Sequence, residues 1–180
     1  EENAAVLREV GALIRVDLDR ALTAFYVRAK ADPDAARFFD SDRQMDRAKA
    51  AQKRHWERLF SAEFDSDYAA SVQRVGDTHA RIGLPVHTYF SAYANAVSDL
   101  LTAIMRPKRR GLFSFGGAPS HRLVQVAMRA FMLDMALVLD TIAKVELEEQ
   151  NRAFGHVEAA IEHLAAGNLL HQIPGPEQSD

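Results

Sequence analysis

The chain contains no cysteine, so disulfides, thiolate metal centres and cysteine nucleophiles are excluded. That absence also fits a reducing compartment. Its formal net charge is only -3, too small to steer it toward nucleic acid or a membrane surface. The N-terminal stretch is acidic and lacks an apolar segment, so no secretory signal is expected and a cytoplasmic location follows. The most hydrophobic run, residues 123–139, contains Arg129 and Asp134 and is followed by Asp140. Those charges disfavour a membrane span and predict an unusually buried helix of a soluble domain. Strand signals are nearly missing, and internal repeats are absent. There is no His-Glu-x-x-His, no Gly-x-Ser-x-Gly and no acidic pair on an apolar face. The carboxylates sit on polar faces in this reading, so no enzyme active site is expected.

What remains is a succession of helices. At 180 residues and 48% apolar, the chain suits one domain with a substantial core. Residues 3–16 predict a first helix with Val6, Val10, Leu13 and Ile14 inward. A second, over 17–30, places Leu18, Leu22, Phe25, Tyr26 and Ala29 on one broad face and stops before Asp32-Pro33. Phe38 and Phe39 anchor a corner. Ser41 and Gln44 have capping-box spacing at the start of a third helix, with Met45, Ala48, Ala51, Gln52, His55, Trp56 and Leu59 inward. After Pro85 a long helix reaches Met105, with Phe90, Ala94, Val97, Leu101 and Ile104 on one face. Residues 106–121 read as a loop whose basic run, Lys108 to Arg110, is solvated. Its glycines lack the Gly-Lys-Ser/Thr of a phosphate loop. Residues 123–144 form a helix apolar nearly all round, covered by the domain on one side and by a partner subunit on another. From Val145 the pattern turns narrow and charged. Leu147, Phe154, Val157, Ile161 and Leu164 follow coiled-coil-like spacing, and such a helix is marginal alone. Gly167-Asn168 and Pro174-Gly175-Pro176 close the sequence. The division is therefore a compact domain over 1–144 and a helical linker over 145–180.

One polar residue interrupts an apolar stripe. Between Asp65 and Pro85, Tyr68, Val72, Val75 and Ile82 step at helical spacing, and His79 falls on the same face. Gly83 is positioned as a left-handed cap, and Pro85 forbids continuation. Two readings are open for His79. It is either a core histidine bonded to a carbonyl, or a neutral imidazole offering a nitrogen to a metal or haem iron.

The run Val75-Gly-Asp-Thr-His79-Ala-Arg-Ile-Gly-Leu-Pro85 resembles the proximal segment of the globin-coupled sensors, a family of bacterial haem-based gas sensors. His55-Trp56, Leu59-Phe60, Phe64-Asp65 and Tyr68 resemble the preceding helix and corner, and Phe25-Tyr26 resembles the second globin helix. The resemblance covers about residues 5–150. It implies an all-α, globin-like fold with an extra N-terminal helix and a C-terminal helical linker. It implies that His79 is the proximal ligand of a b-type haem, held non-covalently because Cys-x-x-Cys-His is absent. Leu22, Phe25, Phe39, Val72, Val75, Ile82 and Val97 are candidate wall residues, each equally readable as plain core. Tyr26 would face the distal side, where its phenol can hydrogen-bond partly negative iron-bound dioxygen better than carbon monoxide. The competing reading is an amphipathic tyrosine with a surface hydroxyl. Ala48 and Ala51 stand where the family often has Leu and Thr, leaving Gln52, His55 or neither as a second distal donor. His55 is also the rival iron ligand, or otherwise an interhelical histidine. Thr88 stands where the family commonly has tryptophan.

The resemblance further implies an oxygen sensor, open to carbon monoxide and nitric oxide, and a homodimer through the last two long helices. A C-terminal output domain would follow: a chemotaxis transducer, diguanylate cyclase or histidine kinase. Ile161-Glu-His-Leu-Ala-Ala-Gly-Asn-Leu169 resembles the linker of methyl-accepting chemotaxis transducers, which points to aerotaxis. Competing readings are a haem-free globin scaffold and a globin that turns over nitric oxide or reactive oxygen species.

Overall fold

The computed structural model describes residues 2–106 and 121–166. Among them there is no strand, and six α-helices follow in order: α1 (Glu2–Ala31), α2 (Pro33–Ala36), α3 (Asp42–Ser61), α4 (Ser66–Arg81), α5 (Val86–Met105) and α6 (His121–Ala165). The basic, glycine-containing loop over 107–120 and the close of the sequence from Gly167 lie outside the described residues.

Local chemistry sets most of the helix ends. Pro33 opens α2 behind Asp32, whose carboxylate accepts the Asp34 N–H at 2.9 Å. At α3, Ser41 Oγ accepts the Gln44 N–H at 3.2 Å, while Gln44 Oε1 accepts the Asp40 N–H at 2.6 Å. The reciprocal bond thus reaches one residue further back than in the standard capping box. Asp65 caps α4 by accepting the Tyr68 N–H at 2.9 Å. At the other end, Gly83 N–H bonds to Ala80 O and Leu84 N–H to His79 O, at 2.9 and 3.1 Å. This is a Schellman closure, and it needs the positive φ of +61° that Gly83 adopts.

Three expectations change. The two N-terminal segments form one rod, so the separate N-terminal helix is the first half of α1. Neither glycine nor proline stands at Val16-Asp17, and the buried series Leu7, Val10, Ile14, Leu18 and Leu22 runs through at unbroken spacing. The inward face of α5 is Tyr89, Tyr93, Ala96, Val97, Leu100 and Ile104, while Phe90 and Ala94 face out. That face is chosen because the Tyr93 hydroxyl finds acceptors on α6. Asp134, finally, is not on a polar face. It is 1% exposed.

The helices pack with α1 against α3, α5 and α6, and with α4 along α6. Trp56 and Phe131 fill the centre, their rings 5.5 Å apart and edge to face, with Tyr93 and Phe60 joining the same cluster. Each large apolar side chain so buried stabilises the fold by about 1.5–3 kcal/mol.

Candidate functional site

His79 occupies the last turn of α4, half-buried, where the Schellman closure fixes the helix end. Its Nδ1 lies 2.7 Å from Val75 O. A carbonyl only accepts, so Nδ1 carries the hydrogen and Nε2 carries the lone pair. Burial holds the imidazole below its usual pKa, against the smaller opposing pull of the Val75 carbonyl. The ring is therefore neutral near pH 7 and offers one nitrogen. Tyr89, one turn into α5, stands edge-on to it at 4.8 Å between ring centres.

Tyr26 is buried in α1, and burial alone raises its phenol above the normal range. Among the described residues its hydroxyl has no hydrogen-bond partner, and since no buried polar atom is left unpaired, the hydroxyl tip reaches solvent while the ring is covered. Phe25 and Phe39 contact its ring edge-on, at 4.9 and 5.9 Å. A half-open surface pocket of about 320 Å³ lies between the end of α1 and the start of α3, lined by Phe39, Met45 and Ala36 together with Lys30, Asp40, Ser41 and Asp42; neither Tyr26 nor His79 lines it. Leu22, Val72 and Val97 lie in the apolar cluster, with Phe25 and Val75 packed against it. Ala48 is half-buried, whereas Ala51 is exposed and Ile82, at the C-cap of α4, is 39% exposed.

His55 is a different object. It is 4% exposed, with Nδ1 at 2.8 Å from Ser71 Oγ and Nε2 at 2.8 Å from Asp134 Oδ1. Both nitrogens are engaged, which removes it as an iron ligand and as a distal donor. Tyr68 donates to Asp134 Oδ1 at 2.8 Å; Tyr93 donates to Asp134 Oδ2 at 3.1 Å and to Phe131 O at 2.9 Å. One buried carboxylate thus gathers His55 of α3, Tyr68 of α4 and Tyr93 of α5 onto α6. Burial first, then the negative Asp134, pushes both phenols well above their usual pKa, so they remain donors. Every buried side-chain polar atom of the described residues is satisfied. No described group of His, Asp or Glu forms a multidentate metal cluster.

Residues 1–148 match the Protoglobin family. The chain belongs to that family. The globin domain of a Geobacter sulfurreducens globin-coupled sensor superposes with a TM-score of 0.60 at 22% identity, covering 79% of this chain and 87% of that one. The globin domain of Escherichia coli DosC, in a ferric form, gives 0.58 at 19% identity, covering 80% and 89%. The fold is accordingly that of the sensor globins, and haem b with its iron is the cofactor of this protoglobin class.

The donor set fits that cofactor. A neutral imidazole with a free Nε2 and a bonded Nδ1 is the form that ligates iron, the second bond fixing tautomer and ring orientation. No other described buried histidine has a nitrogen to give, since His55 is saturated. Sequence reasoning missed Asp134, Ser71 and the inward hydroxyls of Tyr68 and Tyr93. A signal existed: Ala127, Phe131, Asp134, Val138 and Thr141 share one helical face, so the carboxylate had to point inward.

Proposed function

We propose that this protoglobin domain is a haem-based gas sensor in which His79 Nε2 holds the iron. The observation that carries the assignment is the His79 Nδ1 bond to Val75 O, which leaves a neutral, half-buried Nε2 as the free donor. Haem iron supplies reversible binding of dioxygen, carbon monoxide or nitric oxide. The protein's own residues supply the rest. Tyr26, whose hydroxyl has no protein partner among the described residues, donates a hydrogen bond to a polar diatomic and so favours dioxygen over carbon monoxide. Leu22, Phe25, Phe39, Ala48, Val72, Val75 and Val97 are assigned to the walls, where apolar side chains exclude water and keep the hydrogen bond strong, and the exposed Ala51 and Ile82 to the solvent-facing edge.

The proposed domain is a binding module of residues 1–144, and residues 145–180 are proposed to link it to a C-terminal signalling domain, a chemotaxis transducer. A homodimer through α5 and α6 is proposed, and two features of α6 support it. Met128, Met132, Leu133 and Leu137 lie exposed along α6, and beyond them Leu147, Phe154 and Ile161 repeat at seven residues with Val157 and Leu164 at the complementary positions. Both patterns are what helices paired with a second copy present.

Purified protein in the ferrous state should show a five-coordinate Soret band that shifts on adding oxygen or carbon monoxide. Protein that takes up no haem on reconstitution would instead be the haem-free scaffold.

A further inference from the structure

Two fixed points join α4 to α6. The first is Asp134, which receives Tyr68 directly and Ser71 through His55. The second is Gly76, where a Cβ would lie 2.4 Å from the Thr141 methyl and 3.3 Å from Val138 O. The contact partners climb together, residue 68 with 134 and residue 76 with 141, so the two helices run the same way. The turn of α4 that bears His79 therefore points toward Ile142, where the continuous core face of α6 ends and its exposed apolar stripe begins. A chain of ring contacts makes a parallel connection. His79 meets Tyr89 at 4.8 Å, Tyr89 meets Tyr93 at 5.9 Å, and Tyr93 reaches Asp134.

We propose that Asp134 is a positioning residue for His79: through Tyr68, and through His55 to Ser71, it binds the histidine-bearing helix to α6, and through Tyr93 it anchors the α5 rings that touch His79, so that a ligand-dependent shift of His79 is conveyed to the segment leaving the domain. The inference rests on the haem reading above and names its route. The physical reason lies in saturation. A buried carboxylate with three donors offers no alternative register, so sliding α4 along α6 by a fraction of a turn would take Tyr68 from Asp134 and Ser71 from His55, leaving two buried hydrogen bonds unmade. At Gly76 the backbones are too close for the contact to slip. Displacement of α4 is therefore cheaper with α6 moving than without it.

The test uses the full chain and carbon monoxide as the probe. Hydrogen exchange over residues 143–166 is compared in ferrous protein with and without carbon monoxide, for the parent chain, Asp134→Asn, Tyr93→Phe, and Val10→Ala as a core variant outside the cluster. The parent and Val10→Ala should show a ligand-dependent exchange difference. Asp134→Asn and Tyr93→Phe should keep the carbon monoxide Soret shift and lose at least half of that difference. Should Asp134→Asn fail to fold, Tyr93→Phe, which keeps its ring, decides. A haem-loaded parent with no exchange difference, cluster variants with an undiminished one, or an equal loss in Val10→Ala each overturns the proposal alone. A parent without any Soret band overturns the haem reading, and this proposal with it.

Discussion

His55 and His79 lie on consecutive helices, and Nδ1 of each is hydrogen-bonded: that of His55 accepts from the Ser71 hydroxyl at 2.8 Å, that of His79 donates to Val75 O at 2.7 Å. They differ at the other nitrogen. Nε2 of His55 is bonded to a carboxylate that is itself saturated by two tyrosines, whereas Nε2 of His79 keeps its lone pair. The tyrosines divide the same way: Tyr68 and Tyr93 are tied to Asp134, while the Tyr26 hydroxyl has no partner among the described residues. A polar group whose capacity is fully used inside the protein contributes to architecture. One left with capacity, and open to solvent rather than sealed in the core, is available to a ligand.

Substituting the two histidines should separate these roles most sharply. His79→Ala should abolish the five-coordinate ferrous spectrum, while His55→Ala should retain it and lower Tm. Retention by the His79 variant would reverse the assignment. The next largest effect is on stability. Asp134→Ala leaves His55, Tyr68 and Tyr93 without their acceptor and should cost about 3–5 kcal/mol, read by denaturant unfolding. A loss below about 1 kcal/mol would mean that water replaces the carboxylate, since that is the worth of one ordinary hydrogen bond. Between the tyrosines the readouts should cross over. Tyr93→Phe should cost about 1–2 kcal/mol of stability and leave gas dissociation nearly unchanged. Tyr26→Phe should leave Tm nearly unchanged and speed oxygen dissociation by about tenfold, the kinetic equivalent of about 1.4 kcal/mol, with a much smaller effect on carbon monoxide. Equal acceleration of both gases would remove Tyr26 from the distal role.

The smallest expected effect is on pH dependence. Burial disfavours the charged His79 ring, so its folded pKa lies below the unfolded value of about 6.5. Below that pH the unfolded chain takes up a proton that the folded one excludes. The stability present above about 6.5 is therefore lost as pH falls through the lowered folded value. In haem-free protein, where Nε2 can take up a proton, His79→Gln should make Tm fall less steeply between about pH 7 and 5. An unchanged slope would show that another group titrates there.

The chain's local chemistry was readable without coordinates. The helical periods, the caps at Ser41 and Asp65, the closure at Gly83 and the stripe bearing His79 all rest on contacts within a few residues, which spacing encodes. At Val16-Asp17 the expected break is absent, because no glycine or proline interrupts the helix there. The α5 face was misread by one residue, since Tyr89-Phe90 and Tyr93-Ala94 offer two apolar faces of nearly equal merit. Only the position of an acceptor on another helix chooses between them.

Asp134 marks the same boundary. Its place among Met128 to Leu139 was visible, and it sufficed to argue against a membrane span. Whether a carboxylate in such a run is buried depends on donors that α3, α4 and α5 bring from far along the chain. Residue order alone established the helices, their ends and one histidine facing inward. Tertiary packing decided which polar groups would be used up against one another and which would stay available, because hydrogen-bond saturation depends on partners that periodicity cannot bring together.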